Sequence, residues 1–282
     1  MFEQLLHTKE SLLLMFSIPL YIIVISLEII LSNIHNKHLY NTKDTLVNIY
    51  LSCINFALDV FLRTFAFFIL SFFFTFHFFK IENQYLYWFV LLFVEDFMYY
   101  WEHRVDHYVR FFWAIHVTHH SSQLFNLTTG FRSSALQPLY RFIYFIPLAL
   151  IGFSAPDIMF MYALTQIYGI LIHTKSIDKL GLLEYFMATP SHHRVHHASN
   201  EKYLDKNMGM VFIIWDKLFS TFEEEDGVTV IEYGLTKNVT TPYHPLKIVT
   251  HEWLNLMLDV RNEKNIKNKL LFLVKRPGWK PR

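Results

Sequence analysis

Two long apolar runs set the first limit on what this chain can fold into: LLLMFSIPLYIIVISLEIIL at 12–31 and TFAFFILSFFFTFHFF at 64–79. A helix needs about 20 apolar residues to cross the hydrocarbon core of a bilayer, and the first run supplies them. Hydrophobic residues make up 53% of the 282 residues, charged residues only 17%. A soluble domain carries about 25% charged residues, so this chain has too little polar surface to cover itself in water. The fold class this predicts is all-α, a multi-pass integral membrane helical bundle, ahead of a soluble all-helical protein.

The amino-terminal MFEQLLHTKESLLLMF has an acidic residue and no small-residue cleavage motif, and reads as a retained anchor. From Leu46 to about Phe79 the apolar stretch exceeds what one untilted helix needs, which leaves one tilted crossing or a tight hairpin open. Asp59 and Arg63 interrupt it four residues apart, as a pair on one helix face. The segment from Tyr85 to Trp101 carries Glu95 and Asp96, acids that belong in the bundle interior or a wet cavity. Residues from about 137 to 173, broken at FSAPD, read as a helical hairpin, followed by a lysine-rich cap with one apolar piece, MGMVFIIWDKLF. The organisation expected is 1–100 as N-terminal transmembrane helices, 101–220 as a core including the hairpin, and 221–282 as a C-terminal cap. A net charge of +1 and isolated glycines give no sign of nucleic-acid binding. Cys53 is the single cysteine, so no intramolecular disulfide or thiolate-rich site forms, and a metal would need nitrogen and oxygen ligands.

Ten of the 16 histidines fall between 103 and 197. In HRVDH, His103 and His107 stand at i, i+4; in HVTHH and HRVHH, His116, His119 and His120 and then His193, His196 and His197 follow i, i+3, i+4. One hairpin separates the first two clusters from the third, so all three emerge on one side of the membrane. Arg104, Arg110, Arg132 and the later lysines put that side in the cytoplasm by the positive-inside tendency. The sequons at Asn126 and Asn238 lie there too and read as unglycosylated. Neutral imidazoles suit iron or zinc. His173, at the end of the hairpin's return limb, is a ninth candidate, read alone as ligand or core residue. Nine nitrogens exceed what one metal takes and point to two metals with four or five each, leaving positions for dioxygen or water. Glu102 and Asp106 would either orient ligand histidines from behind or be ordinary helix-end charges; His192 points about 100° away from His193 and would either hydrogen-bond behind the ligands or exchange roles with a neighbouring histidine. His7, His35, His38, His77, His244 and His251 lie outside the pattern and read as surface or interface residues.

HRVDH, HVTHH and HRVHH resemble the three histidine boxes of the fatty acid hydroxylase/sterol desaturase superfamily. The surrounding HHSSQLFNLTTGFRSS, IHTKSIDKLGLLE, TPSHHRVHHASNEKYLDKNMGMVFIIWDKLFSTF and RPGWKPR resemble its alkylglycerol monooxygenase branch and bacterial relatives, over roughly 40–282. The resemblance implies a helical membrane protein with a cytoplasmic cap and a dimetal centre, two Fe ions in the active enzyme, with zinc as a substitute in purified protein. It implies that the boxes supply eight ligands and His173 the additional one. Relatives can add a tenth four residues earlier, where this chain has Gly169. The implied chemistry uses O2 on a C–H bond of a membrane lipid, with an electron donor that the branch identifies as tetrahydrobiopterin. The lipid's tail would lie among the aromatic-rich helices and its head group in the cap. Alkylglycerol ether cleavage and fatty acid, sterol or carotenoid oxidation are the alternatives within the family. A haem-binding carrier, a metal transporter and a non-catalytic zinc-binding scaffold are the alternatives outside it.

Overall fold

The computed structural model describes residues 9–281; His7 and the first half of the amino-terminal anchor sequence lie outside that range. Among the described residues there is no strand, only two isolated bridges, Met187 to Phe212 and Ala198 to Tyr233. The all-α expectation holds. Helices α1 (Lys9–Ile34) and α2 (Thr42–Phe74) are both long and apolar enough to cross a membrane. Their apolar side chains stay largely exposed, Phe16, Ile22, Phe61, Phe65 and Phe68 among them, as a lipid-facing surface requires. Residues 42–74 form one helix, not a hairpin. Asn41 starts it by accepting the Lys43 and Asp44 amides, and no Gly or Pro breaks the run. At 33 residues it is about 50 Å long, enough to cross with tilt and extend beyond the hydrocarbon.

Helix α3 (Gln84–Tyr108) carries the first histidine pair; α4 (Arg110–His120) follows after Val109, which turns extended and ends α3. The outward limb of the expected hairpin is not one helix. It comprises 3-10 turns at Gln137–Leu139 and Arg141–Phe145 and then the short α5 (Ile146–Ile151). Pro138 and Pro147 start two of these pieces, where a missing N–H is tolerated. The return limb, α6 (Ala155–Leu171), is regular and delivers His173 just past its end. Leu70, Leu91, Phe145, Leu148, Phe153 and Ile158 are fully buried where α2, α3, α5 and α6 meet.

The cap contains α7 (Pro190–His196), α8 (Ile214–Leu218), α9 (Pro245–Asn262) and α10 (Ile266–Val274). Two acids anchor it. Asp96 is completely buried, as a bundle-interior acid should be, and accepts the Val211 amide at 2.8 Å, the Phe212 amide at 3.0 Å and the Trp215 indole at 2.9 Å. Asp216 accepts the Met208 and Gly209 amides at 2.7 and 2.8 Å. The apolar piece around MGMVFIIW is thereby fastened onto α3, with Trp215 packed against Phe93 and Phe97. Glu28, the single acid in the first apolar run, ties α1 to the loops: it accepts the Leu127 amide at 2.9 Å, the Ser176 hydroxyl at 3.1 Å and the hydroxyls of Thr174 and Tyr40.

The structure alters one part of the charge argument. Arg110 and Arg132 are buried, Arg110 against Glu252 and Asp259 of α9 and Arg132 against Asp44, so neither is a free surface charge. Asn126 is buried as well, capping Thr128 and donating to the Leu39 carbonyl, which leaves no room for a glycan.

Asp96→Ala should show what the clamp holds. It strips two backbone amides and an indole N–H of their acceptor, at about 1–3 kcal/mol each. The unfolding temperature in detergent is expected to drop sharply, while Glu82→Gln on the surface leaves it unchanged; an unaltered midpoint for Asp96→Ala would refute the role.

Candidate metal centre

The nine candidate histidines converge into two adjoining groups. His103, His107, His116, His120 and His196 form one; His119, His173, His193 and His197 form the other; within each, the ligand atoms lie within 4.8 Å of one another. The split follows helix geometry. Each i, i+4 pair stays together: His103 with His107, His116 with His120, His193 with His197. The i+3 members cross over, His119 joining the second group and His196 the first. The groups touch, with His120 stacked on His197 at 4.4 Å between ring centres.

Hydrogen bonds fix which ring nitrogen faces inward. Nδ1 of His103 donates to the Met208 carbonyl at 2.8 Å, that of His119 to Arg132 at 3.0 Å, that of His173 to Gly169 at 2.6 Å, and that of His196 to Lys206 at 2.9 Å. A carbonyl only accepts, so each Nδ1 carries the proton and each Nε2 presents a lone pair. Those lone pairs face one another: Nε2 of His173 lies 3.4 Å from that of His119. Nε2 of His107, His120 and His196 is buried with no hydrogen-bond partner. Converging buried lone pairs with no proton between them are the donor set a cation satisfies, and this arrangement fits a pair of metal ions. Burial pushes His119 down to about 4 and, with the neighbouring imidazoles, holds His116, His120, His193, His196 and His197 well below the ordinary value of 6.5.

The residues behind the ligands divide differently from the sequence reading. Asp106 lies beside the His116 Nδ1 at 3.5 Å, sharing it with the Ser134 hydroxyl at 3.4 Å. Glu102 meets no histidine; it accepts from the Gln137 amide at 3.0 Å. His192 turns out of both groups toward Glu184 at 3.2 Å and the Met187 carbonyl at 3.2 Å. Sequence reasoning missed Asp205, 3.3 Å from the His107 Nδ1, and all four carbonyl acceptors, because a backbone oxygen leaves no mark on residue type. His35, His38, His77 and His244 are exposed, and His251, half-buried, bonds the Ile248 carbonyl.

Two glycines allow the close approach around His173. A Cβ on Gly130 would sit 3.0 Å from the Ile170 Cα and 3.1 Å from the His173 ring. At Gly169, where relatives can carry a tenth ligand, a Cβ would lie 2.1 Å from the Met210 sulfur, so the Met210 side chain fills that place. A cavity of about 250 Å³ opens from His116, His119, His173 and His193 and extends between α1, α2 and α6.

Residues 88–221 match the family model described as fatty acid hydroxylase. The human alkylglycerol monooxygenase is 42% identical over 195 residues, covering 69% of this chain and 43% of that protein. The ornithine lipid hydroxylase OlsE of Rhizobium tropici is 31% identical over 150 residues, 52% of this chain and 45% of its own length. The human lathosterol oxidase is 29% identical over 136 residues, 47% and 43% respectively. The chain spans less than half the length of these curated relatives. No solved structure matches it.

The depressed histidines make a pH prediction for metal-free protein. An unfolded histidine binds its proton near 6.5, whereas His119 in the fold resists until about 4. Between those values the unfolded state holds more protons, so stability falls as pH drops through that window and is unaffected above it. The unfolding midpoint of chelator-stripped protein should be flat from pH 8 to 7 and fall steadily from pH 6.5 to 4.5. A midpoint independent of pH across that range would contradict neutral, buried imidazoles.

Proposed function

This chain carries a fatty acid hydroxylase domain over residues 88–221, and on that premise we propose that it is an O2-dependent lipid oxygenase of the membrane, with two iron ions held by the nine histidines. The observation that carries the reading is the division of nine converging imidazoles, eight of them buried and His119 half-buried, into five and four. Structural zinc is saturated by four ligands and has no use for the group of five, whereas iron accepts up to six and keeps positions open in both groups. A haem carrier or transporter would have no need of two adjoining nitrogen clusters at helix ends. We read α1, α2, α3 and the 137–173 region as the membrane part of a multi-pass protein, with the histidines and cap on the cytoplasmic side that the lysines of 174–282 favour.

When bound, the irons would supply reducible centres that take up O2 and oxidise a C–H bond no side chain can attack. The chain's own residues do the rest. The carbonyls of Met208, Arg132, Gly169 and Lys206 hold the Nδ1 protons of four ligands and so keep their rings oriented. Asp106 and Ser134 do the same for His116. Burial excludes water from the centre, and the cavity beside His173 and His193 orients the lipid so that one carbon faces it.

The favoured substrate is an alkylglycerol, supported by the likeness to alkylglycerol monooxygenases over 69% of this chain. The carbon beside an ether oxygen is activated because the oxygen lone pair stabilises the radical left by hydrogen abstraction. Hydroxylation there gives a hemiacetal that separates into a long-chain aldehyde and glycerol.

Two measurements test this. Iron-reconstituted protein should bind two metal ions per chain; His173→Ala should lower that number and abolish turnover, while His38→Ala and His251→Ala leave both intact. A plateau at one ion in the wild type would end the two-metal reading. Membranes containing the protein should release aldehyde from 1-O-alkylglycerol, given O2 and either tetrahydrobiopterin or a ferredoxin-type donor, and should spare the matching ester lipid. Hydroxylated fatty acid or sterol without aldehyde would keep the oxygenase and discard the ether substrate.

A further inference from the structure

The cavity that starts at the histidines reaches a buried charged cluster among the helices. Arg63 is held by the Asp59 Oδ2 at 2.8 Å and by Glu10. Arg141 donates from Nη1 to the Tyr162 hydroxyl and from Nη2 to the Gln137 Oε1 at 3.4 Å. Three buried atoms of cavity-lining residues then have no hydrogen-bond partner: the Asp59 Oδ1, the Arg141 Nε and the Gln166 Nε2. Asp59 is 8% exposed and Arg141 6%, so both are more than nine-tenths buried. The Asp59 Oδ1 comes within 3.9 Å of the Arg141 Nη1, too far for a hydrogen bond but close enough for one small group to serve both residues. Gln166 stands one helical turn beyond Tyr162, the residue that holds Arg141.

The chemistry of the missing partner follows from what these atoms need. The carboxylate oxygen requires a donor, and the two N–H groups require an acceptor. A hydroxyl supplies both; an alkyl chain supplies neither. An anionic head group would satisfy the donors but press against Asp59. It would also find no spare positive charge, since Arg63 and Arg141 are balanced by Glu10 and Asp59. We propose that Asp59, Arg141 and Gln166 form the binding place for the hydroxyl-bearing head group of a neutral lipid. This rests on the lipid-oxygenase reading and deepens it. It puts the head group among the helices, not in the cap, with the adjoining carbons in the part of the cavity lined by His116, His119, His173 and His193. Neutral hydroxylated lipids are thereby favoured over free fatty acids and phospholipids.

Binding separates this from catalysis. Zinc-loaded protein, which cannot turn over, is placed in nanodiscs, and displacement of radiolabelled 1-O-hexadecylglycerol is measured with three competitors: the unlabelled diol, hexadecyl propyl ether without hydroxyls, and hexadecanoic acid. The wild type should prefer the diol over the propyl ether by about tenfold or more, the value of one or two buried hydrogen bonds. Gln166→Leu, which removes the unpartnered donor together with its amide oxygen, and Asp59→Asn should each weaken the diol about five- to tenfold while leaving the propyl ether unchanged. Gln166→Leu is expected to keep its unfolding temperature, so the test survives if Asp59→Asn fails to fold. Equal binding of diol and propyl ether by the wild type would overturn the proposal, as cavity water would then be the only partner. So would an undiminished preference in Gln166→Leu. The two readings can fail apart. Ether cleavage with no head-group preference removes this site and keeps the substrate; a preference lost in the variants, with no aldehyde from iron-loaded protein, keeps the site and removes the ether chemistry.

Discussion

The hydrogen bond from a histidine Nδ1 to a backbone carbonyl is the interaction on which the rest of the arrangement depends. It decides that Nε2 carries the lone pair, and it decides where that lone pair points. The four acceptors come from three separate segments: Met208 and Lys206 in the cap, Arg132 in the loop after α4, and Gly169 in α6. Each segment must therefore be fixed before any histidine is. The Met208 carbonyl is placed because Asp216 holds the Met208 and Gly209 amides and Asp96 holds the next turn onto α3. The Arg132 carbonyl is placed because the same residue's guanidinium, fully buried, donates to the Thr118 carbonyl, the Ser121 hydroxyl, Asp44 and Asn48. Positioning passes from buried charge to backbone, and from backbone to imidazole.

That explains why a chain so poor in charge puts much of it inside. A lone buried ion is expensive, in lipid above all, but an ion whose partners are backbone amides or an opposite charge fixes several elements at once. Asp96, Glu28 and Arg132 each join segments far apart in sequence, and Asp216 ties together its own stretch from Met208 to Thr221. Asp59 and Arg141 are buried too, beside the half-buried Arg63, yet leave Asp59 Oδ1 and Arg141 Nε unpaired next to a cavity. Single unpaired atoms also remain on Glu95, Glu102 and Arg132, but those of Asp59, Arg141 and Gln166 belong to residues that line one cavity.

Much of this was legible in the sequence. Run length and composition pointed to the helical class, and histidine spacing brought eight of the nine residues forward, because helical periodicity makes i and i+4 neighbours before any tertiary contact is known; His173 was legible only from its place at the end of the return limb and from the family resemblance. The Asp59–Arg63 pair was readable on the same ground. What periodicity could not give was the partner across the fold. Glu102 looked as well placed behind the first box as Asp106, but it points to Gln137. The outward limb at 137–151 looked helical by hydropathy, and only the positions of Pro138 and Pro147 argued for broken turns. Glu28 carried a signal that went unread: one acid in a spanning run needs a reason, and its reason lies in loops 99 to 148 residues away.

The spacing H-x2-H-H gains a specific meaning from the structure. Successive residues on a helix are rotated by about 100°, so the second and third histidines of the box diverge by that angle, while the first and third nearly align. One such box therefore cannot serve a single ion; it supplies two nitrogens to one group and one to its neighbour. α4 gives His116 and His120 to the first group and His119 to the second, and the α7 box reverses the assignment, with His193 and His197 in the second and His196 in the first. Each group is thus built across both helices, and neither can form while the other is disassembled. α3 serves the first group alone, through His103 and His107, which is why that group has five members. The second receives its fourth from His173, a residue in no box, placed by the end of α6 and by two glycines, Gly130 admitting Ile170 and the His173 ring and Gly169 admitting Met210. The unequal size of the two groups is therefore a consequence of which helix ends reach the junction, not of any difference between the boxes.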